Sequence, residues 1–101
     1  MSPERALAQL REGSHEIRDA VVLDSAGRRL AGSRTLAGPA RELLRQAGDA
    51  AEVEVGTGRG IVFAVRGPAA TVAVVADRSA LSSVMRYDLR MAVGEVRAGT
   101  R

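Results

Sequence analysis

Residues Ala20 to Ala31 read Ala-Val-Val-Leu-Asp-Ser-Ala-Gly-Arg-Arg-Leu-Ala. An unbroken apolar run, Ala20 to Leu23, meets Asp24-Ser25-Ala26-Gly27 and then a short basic segment ending at Gly32. Asp at the first position and Gly at the last suit a type I turn followed by a left-handed residue. The stretch therefore predicts a β-hairpin with strands over Asp19–Leu23 and Arg28–Gly32. The first strand is apolar on both faces, which places it inside a sheet. The second carries two arginines and a glycine, which suits an edge.

Downstream, Gly38 and Pro39 are expected to open a helix. Ala40, Leu43, Leu44 and Ala47 share one side of it, Arg41, Glu42, Arg45 and Gln46 the other, and Gly48 supplies a stop. The apolar stripe is narrow and partly alanine, so the helix can approach a sheet or a twin helix closely. Three strands follow. Ala51–Val55 alternates, with Glu52 and Glu54 against Val53 and Val55, and reads as a half-buried edge. Gly60–Arg66 and Thr71–Ala76 are apolar on both sides, so helices should cover both faces of the sheet. Gly56 to Gly60 and Gly67-Pro68 turn the chain between them. A last helix is predicted from Asp77 or Ser79 to about Ala98, burying Leu81, Val84, Met85, Leu89, Ala92, Val93 and Val96, with Gly99 to Arg101 frayed.

Upstream, Ser2 caps a short helix with Pro3 and Glu4 in its first turn and an Ala6, Leu7, Leu10 stripe, ending near Gly13. The order is helix, two strands, helix, three strands, helix. Tight turns make the pairing antiparallel, so the fold class is α/β, a five-stranded antiparallel sheet with helices on both faces. At 101 residues the chain is one domain, read over residues 3–98. Hydrophobic residues make up 46% and aromatics only 2%, so the core must be aliphatic.

The absence of cysteine removes disulfides and thiolate metal sites. The opening residues include Glu4 and Glu12 and lack a long apolar run, which argues against a signal peptide. The longest apolar runs, Ile61–Val65 and Val72–Ala76, fall far short of a membrane span. A cytoplasmic protein without a membrane partner is expected. Net charge is +3, and every one of the 15 basic side chains is arginine, mixed along the chain with acids. No basic stripe with a reading element stands out, so nucleic acid is not the expected partner.

No catalytic motif emerges. The Gly56-Thr57-Gly58-Arg59-Gly60 run lacks the following helix and lysine of a phosphate loop and reads as a hairpin turn. His15 is the single histidine; with no nucleophile or set of converging ligands, it reads as an exposed linker residue. Asp24 suffices as a turn residue and Asp77 as a helix start. Nothing favours modification of Ser82, Ser83 or Tyr87. Arg41 and Arg45, one turn apart, form a polar ridge that is either a solvated face or a protein-docking surface. No enzyme activity, cofactor or metal is expected.

The Ala20–Ala31 hairpin, the short helix after it, the three-strand block and the long final helix together resemble the roadblock (dynein light chain) family. That resemblance implies a homodimer in which the middle helices pack across a two-fold axis and the following strands pair. Here the interface residues would be Ala40, Leu43, Leu44, Ala47, Val53 and Val55. It further implies a non-enzymatic regulator or scaffold of a small Ras-like GTPase, seated on the surface of the paired helices, where Arg41 and Arg45 are the expected contacts. Two other roles stay open. One is a small-ligand sensor of profilin-like or GAF-like type, which needs a pocket between Phe63 and Leu81. The other is a structural subunit of a larger complex.

Overall fold

The computed structural model describes residues 1–96. The elements are α1 (Pro3–Gly13), β1 (Ile17–Asp24), β2 (Arg29–Gly32), α2 (Arg34–Gln46), β3 (Glu52–Thr57), β4 (Gly60–Arg66), β5 (Ala70–Ala76) and α3 (Ser82–Glu95). They build one antiparallel sheet in the order β2-β1-β5-β4-β3. The α-ββ-α-βββ-α order and the two edges agree with the sequence reading. The expected run of the last helix to Ala98, and the tail beyond it, lie outside the described residues.

The Asp24 turn folds by local chemistry. Its carboxylate Oδ1 accepts the N–H groups of Ala26 and Arg28, each at 2.9 Å, and Oδ2 holds the Arg28 Nε at 3.0 Å. The backbone N–H of Arg28 is the largest influence holding the Asp24 carboxyl below its usual range. Gly27 takes the left-handed position, φ +87°. The β3–β4 turn is tighter than expected: Gly56 and Thr57 belong to β3, leaving Gly58-Arg59 as the two-residue connection. Gly60 has φ +142°, and a Cβ there would stand 2.3 Å from the Ala76 carbonyl oxygen, so only glycine fits this close approach of strands.

Two helices start elsewhere than predicted. Ser33, not Gly38-Pro39, opens α2, its side chain accepting the Leu36 N–H at 3.1 Å. Pro39 therefore lies inside the helix, where it leaves the Thr35 carbonyl without its usual donor. The early start adds Leu36 and Ala37 to the buried face beside Ala40. The final helix starts at Ser82, and Asp77 is not its cap. The Asp77 N–H bonds to the Glu16 carbonyl at 2.8 Å, its carboxylate pairs with Arg18 at 3.3 Å, and a turn from Asp77 to Ala80 precedes the helix.

The sheet divides the core unequally. Beneath α1 and α3 lies the larger cluster, with Phe63, Val72, Val74 and Leu89 fully enclosed. On the other face, Val21, Leu23, Leu36, Ala37, Ala40, Ala64 and Ala73 form a smaller one under α2. Met85, Leu89, Ala92, Val93 and Val96 are buried as expected, but Leu81 and Val84 are 69% and 52% exposed. Beside the first turn of α3 stands Gly13, the last residue of α1, which has no side chain to lay over them.

Candidate protein-interaction surface

β3 is an edge strand, and its backbone parity can be read from one bond. The Arg66 N–H bonds to the Ala51 carbonyl at 2.8 Å, so this pair faces inward. Antiparallel pairs alternate between bonded and non-bonded. Val53 and Val55 therefore turn their N–H and C=O groups to β4, while Glu52, Glu54 and Gly56 turn theirs outward.

The side chains of β3 split by face. Glu52 and Glu54 lie on the α3 side. Glu54 takes the Ser82 hydroxyl at 2.8 Å and the Arg86 guanidinium at 2.6 Å, and Glu52 takes Arg90 at 2.7 Å. These contacts strap the edge strand to α3. The Ser82 hydrogen bond, followed by that of Arg86, holds the Glu54 carboxyl below the usual glutamate range. A depressed carboxylate stabilises the fold above its unfolded pKa, and the contribution fades as pH falls through the folded value. Thermal unfolding of the protein should therefore move to lower temperature as pH drops below about 5, and Glu54→Gln should flatten that dependence. An unaltered slope in the variant would show that the strap carries no charge-dependent stability.

Val53 and Val55 lie on the opposite face, level with Ala64 and Val62 of β4. The expectation that helices cover both faces holds only in part. α2 rides chiefly over β1, not over β3. Val53, Val62 and Val75 stay half-buried and Val55 is 38% exposed. Beside this valine strip run Leu43, Leu44 and Ala47 on the flank of α2, all half-buried. Ala40 is 0% exposed, enclosed by the chain's own core, and has no surface to offer a partner. The sequence reading passed over Val62 and Val75, because a strand apolar on both sides gives no sign of where its covering helix stops.

The two arginines of the polar ridge are already engaged. Arg41 Nη1 donates to the Gly27 carbonyl at 3.0 Å, tying α2 to the Asp24 turn. Arg45 donates to both oxygens of Glu42, at 3.2 and 2.5 Å, which lowers the Glu42 pKa and raises that of Arg45. Both line a cavity of about 230 Å³ with Asp24, Thr71 and Arg66. Arg66 reaches from β4 to the Leu44 carbonyl at 2.9 Å and the Ala50 carbonyl at 2.5 Å, closing the C-terminal end of α2. Arg66→Ala should lower stability by about 1 kcal/mol, read by urea denaturation. Arg66→Lys should recover only part, since one ammonium cannot replace the planar fork.

The other residues singled out in the sequence do not converge. His15 is exposed in the turn before β1. Among the described residues no three His, Cys, Asp or Glu side chains come together in a metal-holding group, and no helix is long and apolar enough to cross a membrane.

A sheet with an open backbone edge, an uncovered valine strip beside that edge and a thin helix alongside defines a class of α/β module suited to binding by sheet extension. Solved structures share this plan. A Roadblock/LC7 domain from Streptomyces avermitilis is 25% identical, with a TM-score of 0.75 over 91% of this chain and 95% of that chain. Another structure of a Roadblock/LC7 domain from Streptomyces avermitilis is 21% identical, with a TM-score of 0.78 over 92% of each chain. An MglB structure with a tetrameric arrangement is 19% identical, with a TM-score of 0.63 over 89% of this chain and 83% of that one. No protein-family model and no curated protein matches the chain. The chain has the fold of a Roadblock/LC7 domain.

Proposed function

We propose that this domain is a non-enzymatic, homodimeric binding module that regulates or scaffolds a small Ras-like GTPase. The observation that carries the dimer is the coincidence, at one edge, of unpaired β3 backbone groups and the uncovered strip of Val53, Val55, Val62 and Val75. A second copy brought in antiparallel satisfies the first and covers the second with its own α2, burying Leu43 and Ala47.

Backbone parity restricts how two β3 strands meet. Outward residues must oppose outward residues, so the two-fold axis passes through a residue position. An axis at Val53 sets Glu52 against the partner's Glu54, and an axis at Glu54 sets that residue against its twin. Like charges directly opposite destabilise a sheet. An axis at Val55 avoids both: Glu54 meets the partner's Gly56, and Val55 meets its twin in a non-bonded pair, where side chains approach closest.

The GTPase reading rests on the Roadblock/LC7 fold and its likeness to MglB. The cleft at the C-terminal end of α2, lined by Arg41, Arg45 and Arg66, is a polar surface on the same side of the sheet as the valine strip. Nucleotide hydrolysis and exchange by a small Ras-like GTPase, measured with and without this chain, test the role. A change abolished by Arg41→Glu supports it; the absence of binding at micromolar concentration in either nucleotide state defeats it. A small-ligand sensor fits less well. Phe63 is fully enclosed in a cluster with Met85 and Leu89, and Leu81 points to solvent, so the space such a ligand needs is filled.

A further inference from the structure

Four of the large hydrophobic side chains exposed on this domain, Leu81, Val84, Tyr87 and Met91, follow one another along α3 at 69%, 52%, 57% and 51% exposure. Their spacings of three, three and four residues make a second apolar stripe, distinct from the Met85, Leu89, Ala92, Val93 face turned to the sheet. The stripe borders a groove between α1 and α3, formed by two cavities of about 340 and 230 Å³ that share Gly13 and Asp88. Gln9 and Gly13 form the α1 wall and leave it low.

The groove's charge has one sign. Glu16, Asp88 and Glu95 line it, and among the described residues no arginine does. Helical register puts Arg86 and Arg90 on the opposite flank of α3, where Glu54 and Glu52 pair with them. Among the described residues Asp88 has no ion-pair partner, although it stands at the middle of the groove.

We propose that this groove docks a basic amphipathic helix of another protein. An apolar stripe at three- and four-residue spacing receives the matching stripe of a helix laid along it. From Leu81 to Met91 the stripe covers about 15 Å, roughly three helical turns. Asp88 and Glu95 complement lysine or arginine on the incoming helix, and the exposed Tyr87 ring offers a cation a further contact. A second copy of this chain brings acid against acid here, and anionic lipid headgroups are repelled. The groove lies on the opposite face of the sheet from the valine strip, so both surfaces work in the same molecule, and the inference does not rest on the GTPase reading.

The test uses fluorescein-labelled amphipathic peptides of about 15 residues, one of leucine and lysine and its leucine–glutamate twin, titrated with the full chain by anisotropy. The lysine peptide should bind in the micromolar range, at least about tenfold more tightly than its twin. Met91→Ser should weaken it severalfold and Asp88→Lys should erase the preference, both with an unchanged circular dichroism spectrum. Arg59→Ser, in the exposed β3–β4 turn, should bind like the parent. Equal binding of both peptides, no binding at about 1 mM, or indifference to Met91→Ser and Asp88→Lys would overturn the proposal. So would self-association or binding to phosphatidylglycerol vesicles that Met91→Ser abolishes.

Discussion

Val55→Lys is expected to halve the solution mass of this protein, from two chains to one, by light scattering at micromolar concentration. With the axis at Val55 the substitution sets two ammonium groups opposite each other at the centre of the seam. A loss of about 100-fold or more in dimer affinity follows, some 2.7 kcal/mol. The isolated fold should hardly notice, because Val55 is 38% exposed on an edge strand, and such surface changes cost about 0.5 kcal/mol. Unfolding should then no longer depend on protein concentration. Val55→Thr, neutral and β-branched, should remain a dimer. Val53→Pro is a poorer probe: the Val53 N–H points to β4, so proline there damages the chain's own ladder as well as the seam. A two-chain mass for Val55→Lys would sink the proposed register.

Phe63→Ala should cost more than any other single core truncation, about 3 to 5 kcal/mol. Phe63 is 0% exposed and is the largest of the fully enclosed side chains. Its neighbours on the sheet are small: Val74 opposes it on β5, and the same cluster is filled out by Val65, Val72 and alanines. Those short side chains cannot swing in, and Met85 and Leu89 are already held in the packed cluster, so the void closes only in part. Against a typical stability of about 5 to 15 kcal/mol, the loss should lower the melting temperature by about 15 °C or more. Measured in the Val55→Lys background, the effect separates from dimerisation. Phe63→Leu should cost only about 1.5 kcal/mol. A melting temperature within a few degrees of the parent for Phe63→Ala would mean that the core relaxes around the gap.

Much of this fold was legible residue by residue. The Asp24–Gly27 turn, the Ser2 cap and the apolar runs of β1, β4 and β5 are decided by neighbours a few positions away. So is the edge character of β3, written in its alternating glutamates and valines. Helix starts were less legible. Gly38-Pro39 looks like a beginning, but Ser33 caps four residues of helix ahead of it and Leu36 finds a place in the core. Asp77 looks like a cap, but a backbone bond to Glu16 and a pair with Arg18 engage it first. The proposed interaction surface was half legible: Val53, Val55 and Leu43 carry the apolar signature, whereas Ala40, equally apolar, is closed inside the core.

Local patterning thus dictated the kind and order of the elements, because turns, caps and strand alternation depend on side chains adjacent in the chain. Packing settled which apolar residues remain exposed: Val62 and Val75 stay only half-buried beside α2, and Leu81 and Val84 stand outside the buried face of α3. Sequence alone cannot express that outcome, since exposure depends on how far one element reaches across another, a distance that no spacing along the chain encodes.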